Sequence, residues 1–150
     1  MKIKINDLFS LENTIAADVF SDCVYPFEVL PKISNFIKEL IPKLPRDKFY
    51  EYGENVFIAK SARVAETASI TGPCIIDEGA EVRHCAFIRG NAIVGKGAVV
   101  GNSTELKNVI IFDIKESITF YHNYGTTCGM ECDERTWKNL LKLLKGEEDV

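Results

Sequence analysis

From residue 55 to residue 108 the chain divides into sixes without a slip: NVFIAK, SARVAE, TASITG, PCIIDE, GAEVRH, CAFIRG, NAIVGK, GAVVGN and STELKN. The fourth place holds Ile58, Val64, Ile70, Ile76, Val82, Ile88, Val94, Val100 and Leu106, all aliphatic. The second place holds Val56, Ala62, Ala68, Cys74, Ala80, Ala86, Ala92, Ala98 and Thr104, all small or β-branched. Side chains of an extended strand alternate between its two sides, so places two and four face the same interior. A helix would need apolar residues three or four apart. An antiparallel meander of short strands is the competing architecture, but its strands recur every 8–12 residues and its turns need no fixed spacing. The period therefore predicts a parallel β-helix: three short strands make one triangular coil, and nine units make three coils. At the usual strand spacing the stack would be about 14 Å tall. So short a stack leaves open ends that need capping.

The flanks read differently. Val29, Ile33, Phe36, Ile37, Leu40, Ile41 and Leu44 fall at helical spacing, preceded by Pro26 and Pro31 and closed by Pro42 and Pro45. Thr14 is an acceptable N-cap for an earlier short helix through Ile15-Ala16-Ala17. These helices are expected to cover one end of the prism or a neighbouring chain. Beyond Phe112 the rule of six fails, and Asp133-Glu134-Arg135-Thr136 opens a helix striped by Trp137, Leu140, Leu141 and Leu144. The expected organisation is mainly β: an N-terminal helical cap over 1–48, the repeat over 49–113, and a divergent loop with a C-terminal amphipathic helix over 114–150, in one compact domain.

Composition narrows the function. A chain of 150 residues, 46% hydrophobic and 27% charged, can bury a core without disulfides or metal. No apolar run is long enough for a membrane helix, and polar residues from Asn6 onward argue against a secretory signal. A net charge of −4 leaves no overall basic footprint for nucleic acid. Cys23, Cys74, Cys85, Cys128 and Cys132 are odd in number and form no Cys-x-x-Cys pair, so they read as reduced residues of a cytoplasmic protein. Zinc held by three histidines lacks a ligand, since only His84 and His122 are present, and Cys128-x-x-x-Cys132 is a poor zinc spacing. No metal is expected.

An 18-residue coil brings residues 18 apart together on successive turns. Arg89 and Lys107 are such a pair. Two cations so placed repel unless an anion lies between or beside them. A phosphate suits, with Arg supplying a fork of donors and Lys a point charge. The alternative is a solvated charged face with splayed side chains.

The repeat resembles the hexapeptide-repeat acyltransferases, whose β-helix is left-handed; the hand is implied by the resemblance alone. The stretch from Ile88-Arg89-Gly90-Asn91-Ala92 through Gly101-Asn102-Ser103-Thr104-Glu105-Leu106-Lys107 is similar to the acetyltransferase half of the bifunctional enzymes that make UDP-N-acetylglucosamine. Residues 5–113 are also similar to stand-alone hexapeptide proteins described as UDP-N-acetylglucosamine pyrophosphorylases or related sugar-phosphate transferases. The resemblance implies that Arg89 and Lys107 hold the phosphate of a sugar phosphate or nucleotide sugar, that acetyl-CoA is the acyl donor, and that the chain forms a homotrimer with the donor between prisms. The family's base is a histidine twelve residues beyond the lysine, where this chain has Thr119. His122, in Phe120-Tyr121-His122-Asn123-Tyr124-Gly125, is the candidate replacement, or else a loop histidine. The family's further donor-binding coils have no counterpart in the repeat here. Pyrophosphorylase chemistry is not expected either, because no Gly-rich phosphate loop opens a helix. The expectations are thus a sugar-phosphate acetyltransferase or, alternatively, a shortened, non-catalytic anion- or sugar-phosphate-binding module.

Overall fold

The computed structural model describes residues 4–113. The helix expected after Asp133 lies outside them.

The six-residue rule builds a parallel β-solenoid of about three turns with three faces. Face 1 carries β1 (Phe49–Gly53), β2 (Val56–Ala59), β5 (Cys74–Ile76), β8 (Ala92–Val94) and β11 (Val109–Ile111). Face 2 carries β3 (Arg63–Val64), β6 (Glu81–Val82) and β9 (Val99–Val100). Face 3 carries β4 (Ser69–Ile70), β7 (Phe87–Ile88) and β10 (Glu105–Leu106). Pairing is parallel and steps by one coil: Val56 faces Cys74 and Cys74 faces Ala92, Val64 faces Val82 and Val82 faces Val100, Ile70 faces Ile88 and Ile88 faces Leu106. The antiparallel meander is thereby excluded. Among the described residues only β1 runs the other way, pairing antiparallel with β2. It lies along the outer edge of β2, where unpaired backbone groups would otherwise be left.

Places two and four fill the interior as the sequence requires. Val56, Ile58, Cys74, Ile76, Ala80, Val82, Ala86, Ile88, Ala92, Val94, Ala98, Val100 and Leu106 form one buried cluster. The corners fall on place one: Asn55, Gly79, Cys85, Asn91, Gly97 and Ser103 all take positive φ. Asn and Gly enter that region most readily. At the corner between faces 3 and 1 the turns also approach closely. A Cβ on Gly90 would lie 2.7 Å from the Gly72 carbonyl oxygen of the turn below, so the coils stack there without room for a side chain.

The last coil departs from the sequence reading. β11 meets β8 with Val109 opposite Ala92 and Ile111 opposite Val94, a register shorter by one residue. The corner after Leu106 is short, and Asn108, φ 55°, does the work that Asn91 does one turn lower.

A second core corrects the placement of the helices. They cover a side of the prism rather than an end. The chain is helical from Pro26 to Lys43, as a 3₁₀ segment Pro26–Lys32, the α-helix Ile33–Leu40 (α2) and a 3₁₀ turn Ile41–Lys43. Pro31 lies inside the 3₁₀ segment, where its missing N–H leaves out one bond, and ahead of α2, whose own bonds it does not interrupt. Before it come a short helix α1 (Ile5–Leu8) and a 3₁₀ turn Ala17–Phe20. Thr14 Oγ1 accepts a 3.2 Å bond from the Ala16 N–H just before that turn. Val29, Ile33, Ile37, Ile41 and Leu44 pack with Phe57, Ile75 and Ile93, the outward-facing residues of face 1. Place three is apolar on that face alone through all three turns, whereas faces 2 and 3 show Arg63, Glu81, Ser69 and Glu105 there. Burial of these side chains holds the helical segment flat against the sheet. Phe112 closes the top of this layer, stacked 4.7 Å from Phe9.

Candidate functional site

The corner between faces 3 and 1 gathers the cations singled out in the sequence. Arg89 follows β7 and Lys107 follows β10, and the pairing of Ile88 with Leu106 sets them on successive turns. The Arg89 N–H donates to the Leu106 carbonyl at 2.8 Å, which continues the ladder one residue past the strands. Both side chains are exposed.

The sequence reading missed Glu105. The Arg89 guanidinium Nη1 donates to Glu105 Oε1 at 2.7 Å and lies over the Phe87 ring, 5.9 Å from its centroid. An anion therefore does lie beside Arg89, and it belongs to the protein. The signal was legible: an 18-residue turn makes Glu105 a diagonal neighbour of Arg89, sixteen residues away. Both partners are about half exposed, 46% and 55%, so solvent screens the pair and its net worth is at most about 1 kcal/mol. A dianionic ligand can displace such a carboxylate. Among the described residues, no hydrogen bond or ion pair engages the Lys107 ammonium. The corner thus offers a guanidinium, an ammonium and one competing carboxylate. Lower on the same edge runs an open groove of about 570 Å³, lined by Lys38, Tyr52, Glu54, Asn55, Thr71 and Pro73 among others.

His122 lies outside the described residues, as do Cys128 and Cys132. The other imidazole, His84, stands at the opposite corner of face 3 from Arg89, between faces 2 and 3. Among the described residues, no group of three or more His, Cys, Asp or Glu is placed to hold a metal ion. None of their helices is long and apolar enough to cross a membrane.

Two carboxylates elsewhere are shifted from their ordinary range. On face 2, Glu81 is held low by Arg83, whose Nε donates at 2.9 Å, and by Arg63, whose Nη2 also donates at 2.9 Å. At the corner between faces 1 and 2, burial pushes the Asp77 carboxyl up, opposed by a 2.7 Å bond from the Glu78 N–H. Asp77 serves that corner by accepting this bond, and nothing places it near Arg89.

No protein-family model matches the chain, and no solved structure does. Two curated proteins do, both named bifunctional protein GlmU and both from Methanococcus maripaludis. The one from strain C5 is 31% identical over 128 residues, covering 73% of this chain and 27% of its own length. The one from strain S2 is 32% identical over 112 residues, covering 63% of this chain and 23% of its own length. The chain therefore spans about a quarter of the length of the curated relatives it matches. The matches are thus a weak, partial similarity to GlmU, and the parallel solenoid built on sixes agrees with a hexapeptide-repeat domain.

Proposed function

We propose that the chain binds a phosphorylated amino sugar or nucleotide sugar at the corner between faces 3 and 1, as an acetyltransferase-like protein of the hexapeptide-repeat type that uses acetyl-CoA. The observation that carries this reading is the register of β7 on β10, which sets Arg89 and Lys107 on adjacent turns with a carboxylate already in the guanidinium fork. A phosphate presents two or more oxygens to the same fork, adds charge for Lys107, and releases Glu105 to solvent. The groove along the same edge gives the sugar a surface to lie on. In this reading the homotrimer places the donor between prisms, and His122 is the base that takes the amine proton.

A second reading rests on one feature. Among the described residues the only histidine stands at the far corner of face 3, so within them the phosphate corner has cations but no imidazole. A binding module needs no more than that.

Calorimetric titration with glucosamine 1-phosphate tests the site. Binding should weaken about tenfold in Arg89→Ala and in Lys107→Ala, the loss of one charge-assisted contact, and tighten in Glu105→Gln. Equal affinity in all three variants refutes the phosphate corner. Thiol release from acetyl-CoA in the presence of that sugar, abolished in His122→Ala, separates the transferase from the module; binding without turnover selects the module.

A further inference from the structure

The corner between faces 2 and 3 holds a side-chain array that the sugar-phosphate reading does not use. Cys85 sits at place one with φ 56°, and its thiol is exposed to solvent. That turn of the backbone brings its Sγ to 3.2 Å from Nε2 of the preceding residue, His84. The other ring nitrogen, Nδ1, is 2.8 Å from Thr67 Oγ1, one coil below. The same hydroxyl oxygen accepts the Cys85 N–H at 3.2 Å. Thr67 therefore ties both the ring and the backbone of the corner. With Nδ1–H donating to Thr67 Oγ1, the Nε2 lone pair faces the thiol. A thiol, an imidazole and a group orienting that imidazole form the usual layout of an activated sulfur nucleophile.

The surroundings favour one class of partner. A shallow, open groove of about 450 Å³ on face 2 is lined by Arg63, Glu81, Arg83, His84 and Asn102 among others, so it runs up to the imidazole. Its two guanidiniums share the single Glu81 carboxylate, which leaves one positive charge over. Among the described residues, the remaining ionisable group near His84 is Glu66, exposed and one full turn beneath it; Asn102, one turn above, is neutral.

We propose that Cys85 is a thiol–disulfide exchange site, with His84 as proton acceptor and Thr67 as positioning residue, that takes small disulfides bearing carboxylates. The Cys85 sulfur attacks one sulfur of the disulfide, and its proton passes to His84 Nε2. The Cys85–S–S–R bond forms as the original S–S bond breaks. The departing thiolate recovers the proton, so one disulfide and one thiol are consumed and one of each is produced. The proposal is independent of the phosphate corner.

The test uses the full chain with 5,5′-dithiobis(2-nitrobenzoate), an anionic disulfide, and cystamine, a cationic one, with each cysteine followed by peptide mass. At pH 7 Cys85 should be the first described cysteine modified, ahead of half-buried Cys23 and buried Cys74. His84→Gln should slow it about tenfold, less than the usual loss of a general base because sulfur is a strong nucleophile without one, and Thr67→Val by a smaller factor. Thr67→Ser, which keeps the hydroxyl, should restore the parent rate. A merely structural role for Thr67 would not single out the hydroxyl in this way. Relative to an unstructured peptide of the same local sequence, the anionic reagent should be accelerated more than the cationic one, with that difference reduced in Arg83→Ala. Persistent protection of Cys74 reports that each variant is folded. Modification of Cys85 at the rate of an unstructured peptide of the same local sequence, or a rate unchanged by His84→Gln, would overturn the proposal.

Discussion

Cys74 and Cys85 show how far a residue's chemistry depends on its place in the six. Cys85 stands at place one and meets solvent. Cys74 stands at place two, with its side chain inside the prism and no exposure. Burial alone pushes the Cys74 thiol up to about 12. The consequence for stability has a definite sign. Between the ordinary thiol range and that raised value, the unfolded chain gives up a proton that the folded chain keeps, so the folded state binds more protons and loses stability as pH rises. Below that window the contribution is intact. The slope for one proton is about 1.4 kcal/mol per pH unit. Cys74→Ala should therefore be less stable than the parent at pH 7 by about 1 kcal/mol, the size of a small cavity. The gap should close and then reverse as pH climbs past about 9. Urea melts of both proteins from pH 7 to pH 11 check this; a constant gap across that range refutes it.

At the scale of the element, place three decides what each face can do. Places two and four are alike on all three faces, and they build the same prism wall three times over. Place three points outward, and its residues are Phe57, Ile75 and Ile93 on face 1, all buried under the helical segment. On face 2 the same place holds Arg63 and Glu81, joined by an ion pair at 2.9 Å. Changing place three should then cost very different amounts on the two faces. Ile75→Asp sets a carboxylate against Ile33 and Ile37 and should destabilise by more than about 4 kcal/mol, the range for an unpaired buried charge. Arg63→Ala removes one screened surface pair and should change stability by less than about 1 kcal/mol. Thermal melts of the two variants give the comparison, and similar losses would mean that the helices do not lie where described. The strands and the 26–43 helix were legible because both are periodic. Their mutual placement was legible too, in the apolar third place of NVFIAK, PCIIDE and NAIVGK, but it needed those units to be grouped by face. The one-residue shortening before Val109 was harder to see, since Val109 and Ile111 fit a strand in either register.

At the scale of the molecule, and among the described residues, the three-turn prism has one side covered and two sides bare. Face 1 lies under the helices, while faces 2 and 3 carry exposed residues at place three, including Phe87 at 42% exposure. A donor groove between prisms requires those bare sides to meet in copies of the chain. Sedimentation equilibrium should give a mass three times that of the 16.8 kDa chain, and a monomer at micromolar concentration would remove the part of the proposal that places acetyl-CoA between subunits. The sequence by itself determined the solenoid, its 18-residue turn and the placement of Arg89 and Lys107 on successive turns, because period-two alternation inside a six-residue unit leaves only one repeating way to bury places two and four. Only the tertiary structure decided what stands beside those residues. Glu105 enters the Arg89 fork, the helices choose face 1, and Thr67 reaches His84 because side-chain contacts between coils depend on backbone turns at the corners, which a repeat pattern specifies by position but not by direction.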